Sequence, residues 1–294
     1  MMGWGEIFAL ASAAIWALAV ILMRRAGDTL PAFELNLFKN SLGILLLFPT
    51  ILLFGGLELP DYSLYEFVVV FVSGVIGIAV ADTWYLRALN LMGASRTGIV
   101  ASMFSPFVVL LSMIFLGERM NSWQWLGFFL VVSGVLVVTW RTNRSTVDTS
   151  HIKKGAVYGV ASMFMMALGI VMVKEILEIK PLLWTIELRL AGGITGLLVF
   201  MLVRGQWQSV KDNFRKPHRW GTVIMASFLA SYVSLILWLA GYKLIDASIA
   251  SILNETNVVF IIVLAWLMLG ERISWRKIAG IALAGGGVVI MMLV

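Results

Sequence analysis

The residues here with chemistry to do are charged and amide side chains embedded in long apolar runs. Ser248, Ser251, Asn254, Glu255 and Asn257 fall within one helical arc, and Glu255 lies well inside its run. A carboxylate there can take a substrate ammonium or a proton; the plainer alternative is a protonated or hydrogen-bonded packing group. Asn36, Lys39 and Asn40 stand at i, i+3 and i+4, which is one helix face. Lys39 lies roughly 12 Å past Pro31 at ~1.5 Å per residue, so it either faces a cavity or snorkels to the interface. Arg189 carries the same two readings. Glu187, two residues earlier, points to nearly the opposite side, so the two cannot share one cavity. Gly98, Ser102 and Pro106 sit at the level matching Glu255, and Pro106 frees a backbone carbonyl that can bend a helix or bind a ligand. Tyr85 and Trp238, with Trp16 and Trp84 beside them, offer aromatic walls for an organic cation or ring. Asp82 reads as a proton site or as an ordinary interfacial carboxylate.

Composition says what must hold these groups. Of the 294 residues, 61% are apolar and 13% charged, against roughly 25% charged in soluble domains. Such a chain cannot cover a water-facing surface, so lipid is its main solvent. The mean hydropathy of +0.96 agrees. With no cysteine, disulfides, thiolate metal sites and thiol nucleophiles are out. Only His151 and His218 are present, both in polar loops, so no metal or cofactor is expected.

Ten apolar runs are long enough to cross a hydrocarbon core: 4–23, 33–54, 66–86, 95–116, 123–140, 155–176, 182–203, 220–240, 248–269 and 275–293. The first has no Lys or Arg ahead of it and reads as a retained span rather than a leader. Lipid cannot satisfy an open backbone, so each must be a helix. The polar stretch 141–154 suits a linker between two halves, 1–140 and 155–294. Stretch 204–219 is basic and carries Trp207, Val210 and Phe214 at helical spacing. It reads as a helix lying on an anionic leaflet or as a solvated loop.

The halves repeat each other. At an offset of 150, Gly5 matches Gly155, Ser12 matches Ser162, Pro31 matches Pro181, Lys39 matches Arg189 and Gly43 matches Gly193. At 153, Gly117-Glu118-Arg119 matches Gly270-Glu271-Arg272, and a Ser-Trp pair follows each. The stripe Gly74, Gly77, Ala81, Tyr85, Ala88 likewise matches Ser227, Ala230, Ser234, Trp238, Gly241; close helix packing is its plainer reading. Five spans is an odd number, so the second copy must enter the membrane from the opposite side. The expected fold is an all-α membrane protein of ten transmembrane helices in two inverted five-helix repeats. Transporters built this way bind substrate near the midplane, between the repeats.

Phe115-Leu116-Gly117-Glu118-Arg119 and Met268-Leu269-Gly270-Glu271-Arg272, each followed by Ser-Trp and a Gly-rich last span, resemble the EamA-type members of the drug/metabolite transporter superfamily. The resemblance covers almost the whole chain. Pro106 fits the family's mid-helix proline; the second half has Val258-Val259 there and departs from it. The resemblance implies a carrier of metabolites or organic solutes, often an exporter, in the cell (inner) membrane, without naming a substrate.

Charge and resemblance disagree on orientation. Sixteen of the 22 Lys and Arg lie in the loops on the side reached after the first span, and four lie opposite; Lys39 and Arg189 lie within spans. Basic short loops stay cytoplasmic, which puts both termini outside the cytoplasm; the family habit is both inside. The charge count is preferred as a property of this chain. The expected function is a secondary carrier of an amino-acid-like or drug-like solute, with a coupled proton or ion as a further expected partner, as a monomer or homodimer. No phosphate loop is present for direct ATP coupling, and no nucleic-acid partner is expected. A lipid-modifying intramembrane enzyme and a channel or receptor-like protein are the alternatives; the spans lack a clustered catalytic set.

Overall fold

A computed structural model describes residues 3–55, 60–115, 121–139 and 149–292. The described residues form ten long helical rods, without strands. They are α1 (Trp4–Ala26), α2 (Ala32–Phe54), α3 (Leu64–Met92), α4 (Ala94–Phe115), α5 (Ser122–Thr139), α6 (Thr149–Ile179), α7 (Leu182–Val203), α8 (Trp220–Leu244), α9 (Ala247–Asn254 with Asn257–Leu269) and α10 (Trp275–Met292). Seven of these are long and apolar enough, each alone, to cross a membrane: α1 to α4 and α6 to α8. Of the other three, α5 and α10 have 18 residues each, and α9 is broken.

The ends follow local chemistry. Pro31 and Pro181 sit just before α2 and α7, where a missing N–H leaves no bond unmade. Ser63 and Glu66 close a capping box on α3, at 3.2 and 2.7 Å. The turn from α3 to α4 is one residue, Gly93, at φ 82°, which an L side chain adopts only under strain. Helix α6 starts earlier than its apolar run, at Thr149, so residues 149–154 are its first turns rather than linker. Residues 141–148 and the first Gly-Glu-Arg, 117–119, lie outside the described residues.

The packing between halves obeys an exchange rule. Helix α1 packs on α8 and α9, as α6 packs on α3 and α4. Helix α2 packs on α8, as α7 packs on α3; α2 meets α7, α4 meets α9 and α5 meets α10. Such reciprocal pairing is the signature of a two-fold relation. It reaches single atoms. A Cβ on Gly5 would meet Leu244 and Ile245, and one on Gly155 would meet Leu91 and Met92, the repeat-related positions. Ser234 donates to the Ser12 carbonyl at 3.3 Å, and Ser162 donates to the Ala81 carbonyl at 2.8 Å.

Four irregularities break the rods where the halves meet. Helices α3 and α8 each widen into a π-type turn, at Val75–Asp82 and Leu229–Ser234, repeat-related positions. Such turns cost good hydrogen-bond geometry and concentrate at functional sites. Helix α4 tightens at Ser102–Met103, whose N–H groups bond three residues back at 3.2 and 3.1 Å. Pro106 explains it: it has no N–H for the Ser102 carbonyl, and its ring crowds that oxygen. Helix α9 breaks at the matching Glu255–Thr256, again with three-residue bonds at 3.3 and 3.0 Å.

The short helix Trp207–Arg215 is present between α7 and α8. Its apolar residues divide. Trp207 is exposed, whereas Val210 is buried and Phe214 stacks on Trp220 at 6.4 Å. Asn213 donates to Glu34 at 2.6 Å, so this helix docks on α2 as well as facing outward.

Candidate functional site

The four interrupted rods and their neighbours surround one central cavity of about 110 Å³. A single water needs roughly 10–15 Å³ on this measure, so the space suits a cluster of waters or a molecule of amino-acid size. Both halves contribute. Lys39, Asn40, Asp82 and Tyr85 come from the first, and Arg189, Ser231, Ser234 and Glu255 from the second.

Of the residues singled out from sequence, Trp16, Lys39, Asn40, Asp82, Tyr85, Arg189, Trp238, Asn254, Glu255 and Asn257 line this cavity. Asn36, Ser102, Pro106, Glu187, Trp84 and Ser251 are not among its lining residues. Asn36 donates to the Ile78 carbonyl at 2.8 Å and to Thr83 at 2.9 Å, tying α2 to the wide turn of α3. Ser251 meets Ser105 at 3.2 Å, tying α9 to α4. Ser102 and Pro106 are buried at the break in α4. Glu187 points away from Arg189, as the helical spacing requires, and its Oε2 is buried without a hydrogen bond among the described residues. Trp84 packs on Tyr158 at 6.5 Å, outside the cavity.

Lys39 does not snorkel. Its side chain is 4% exposed and pairs with Asp82 at 2.5 Å, with Asn40 at 3.2 Å and Ser231 at 3.5 Å. Asp82 is therefore a cavity residue, which the reading of α3 as a regular helix undervalued. In a straight helix, Asp82 lies about 100° from Ala81, off the stripe. The wide turn at 75–82 re-aims it toward α2.

Arg189, the counterpart of Lys39, is 2% exposed and has no such partner among the described residues. It donates to the Gly169 carbonyl at 3.3 Å, and its Nε is unsatisfied. No carboxylate lies within ion-pair distance among the described residues. The Arg189 backbone lies against Gly74 so closely that any Cβ there would collide with its carbonyl. Thus α3 and α7 touch where the charges sit.

Glu255 sits at the break of α9, facing the start of the second part of α4. The Ser105 N–H donates to it at 3.4 Å. A helix N-terminus carries partial positive charge and unpaired N–H groups, so it stabilises a carboxylate. Asn254 is fixed by Ser12 at 2.8 Å and by the Ala250 carbonyl at 2.8 Å. Asn257 is not: its Oδ1 is buried without a partner among the described residues. Tyr85 Oη is also buried without a hydrogen-bond partner among the described residues, and the Trp16 ring lies tilted against the Tyr85 ring at 5.8 Å. Phe104 and Trp238, 6.2 Å apart, form the opposite wall, with Met163 and Met166. Phe104, Met163, Ser231 and Ser234 were not legible as site residues, since apolar and small side chains abound on every face.

The repeated Gly-Glu-Arg motif has a local role in the second half. Glu271, in the loop before α10, accepts the Ala94 and Ser95 N–H groups at 2.8 and 3.3 Å and pairs with Lys277 at 3.0 Å. It thereby caps α4 from another helix pair. Burial pushes its carboxyl up, but Ser95, Lys277 and the Ala94 N–H outweigh this and hold it below the usual carboxylate range.

Similarity to known proteins agrees with this architecture. The family model "EamA-like transporter family" matches twice, over residues 3–140 and 153–293. The chain is 21% identical over 236 residues to an uncharacterized transporter, YetK, of Bacillus subtilis, covering 80% of this chain and 70% of that one. It is 28% identical over 135 residues to the pseudopaline exporter CntI of Pseudomonas aeruginosa, covering 46% of each chain, so the match spans about half of that relative. A solved crystal structure superposes with a TM-score of 0.69 over 98% of this chain and 96% of its own, at 17% identity, which shows a shared fold. Doubly matched along nearly its whole length, the chain belongs to the EamA-like transporter family.

Proposed function

We propose that the protein is a secondary carrier that moves a small organic solute across the membrane by alternating access, with the central cavity as its binding site. The observation that carries this is the cavity's construction. Tyr85, Arg189 and Asn257 line the cavity, and each carries a buried polar atom without a hydrogen-bond partner among the described residues. A buried unsatisfied group costs about 1–3 kcal/mol, a cost a ligand can offset. The reciprocal packing of the halves supplies the second element, because exchanging the two halves' conformations opens the cavity to the other side. Outward transport is the proposed direction, by analogy with the exporter CntI. The basic loops, which include the short helix Trp207–Arg215, are proposed to face the cytoplasm.

The test is solute flux in proteoliposomes. Saturable uptake that competes among related solutes supports the carrier. An unsaturable ion current would favour a channel, and turnover of lipid would favour an enzyme. A terminal reporter fusion active only in the cytoplasm would overturn the proposed orientation.

A further inference from the structure

The charges in the cavity are half symmetric. Lys39 and Arg189 occupy repeat-related positions on α2 and α7, and both face the cavity. Lys39 has an internal counter-ion, Asp82, at 2.5 Å. The repeat-related position to Asp82 on α8 is Leu235, which also lines the cavity. The contacts that carry the first pair recur in the second half, since α2 packs on the later part of α3 as α7 packs on the later part of α8. The place where Arg189 would find its carboxylate is therefore filled by an apolar side chain.

We propose that the site takes a zwitterion, whose carboxylate docks on Arg189 as the counterpart of Asp82 on Lys39, and whose ammonium docks at Glu255 and Asn257. This rests on the carrier reading of the cavity. An arginine keeps its charge, and a buried charge requires an opposite one. Arg189 Nε and Tyr85 Oη are buried without hydrogen-bond partners among the described residues, on side chains that line the cavity. Lys39 is not so placed, being held by Asp82 and flanked by Asn40 and Ser231. At the other end, Asn257 Oδ1 can only accept and is buried without a partner among the described residues, and Glu255, which takes hydrogen bonds from Ser102 and from the Ser105 N–H at 3.4 Å, keeps carboxylate lone pairs for a further donor. Between the ends, the walls are Trp16, Phe104, Trp238 and two methionines, which suit an apolar body. A cationic drug would leave Arg189 facing a like charge. A plain acid would leave Asn257 unmet.

The test uses purified protein in detergent and isothermal titration with L-leucine, L-methionine and L-tryptophan. Each is paired with the amine lacking its carboxylate and the acid lacking its amine. At least one zwitterion should bind more tightly than both of its single-charge analogues. Arg189→Gln should weaken that zwitterion about 10–100-fold, the range for one charge-assisted contact, and leave the amine unchanged. Leu235→Asp supplies Arg189 with an internal carboxylate and should compete the zwitterion away; Leu235→Asn should not. If Leu235→Asp fails to fold, Arg189→Lys takes its place, with a smaller loss of zwitterion affinity expected than for Arg189→Gln. An amine binding as well as its zwitterion, no binding by any of the set, or equal zwitterion binding before and after Leu235→Asp overturns the inference. Saturable flux of an amine alone would leave the carrier standing while removing the zwitterion; absence of saturable flux for every solute would count against the carrier itself.

Discussion

Replacing Asp82 with leucine, the residue its repeat-related position already carries, should be among the most damaging single changes in the cavity. The perturbation strands the Lys39 ammonium, 4% exposed, with only Asn40 at 3.2 Å and Ser231 at 3.5 Å. At 2.5 Å and an effective dielectric constant of about 20, the gross attraction lost is roughly 7 kcal/mol. Relaxation and the relieved desolvation of Asp82 offset part of this, and breaking a buried pair costs about 3–5 kcal/mol net. Lys39→Met should cost less, because the stranded Asp82 still has Arg189 across the same cavity. The double variant Lys39→Met, Asp82→Leu removes both charges and should recover most of the loss. Equilibrium unfolding in mixed micelles of rising SDS fraction, applied to all four proteins, gives the coupling between the sites. A double variant as unstable as the sum of the two singles would refute the reasoning, since a real ion pair cannot be additive.

Other consequences are independent of that pair. Tyr85→Phe removes a hydroxyl that has no hydrogen-bond partner among the described residues, so stability should hold or rise by about 1 kcal/mol while solute affinity falls; melting and binding assays together check this. Gly74→Val should prevent the close approach of α3 to α7 at Arg189, lowering both the melting midpoint and flux. Gly93→Ala should cost about 1–2 kcal/mol through its φ of 82°, read as a lower unfolding midpoint. Glu271→Gln should loosen the cap on α4. Because its folded pKa is depressed, the wild-type contribution is fully present above the unfolded carboxylate value, about 4.3, and is lost as pH falls through the lower folded value. A stability difference between the wild type and Glu271→Gln that instead grew under acid would contradict this.

Much of this was legible in the sequence. The apolar runs located all ten rods to within a few residues at most ends, because lipid leaves the backbone no choice but helix. The main exceptions are α3 and α6, which run on past the apolar stretch at Met92 and Thr149. The paired glycines and serines announced the repeat, because close approach between halves requires small residues at both related positions. The 3.6-residue period placed Asn36, Lys39 and Asn40 together correctly and separated Glu187 from Arg189. It failed at Asp82, because a wide turn carries no mark in residue type; Val75–Asp82 reads as ordinary apolar helix. The break in α9 was hidden for a related reason. Neither Glu255 nor Thr256 is a helix breaker, and only the proline in the other half signals it. The docking of Val210 and Phe214 on the protein likewise needed three dimensions, since an amphipathic helix on a leaflet has the same pattern.

The sequence contains no cysteine, so a single introduced thiol reports without background. Ser234, 3% exposed and lining the cavity, is the place for it. In proteoliposomes of known protein orientation, Ser234→Cys should react with a membrane-impermeant thiol reagent added from either face, and a bound solute should slow both reactions. Labelling from one face alone, whatever the solute or gradient, would contradict alternating access through this cavity.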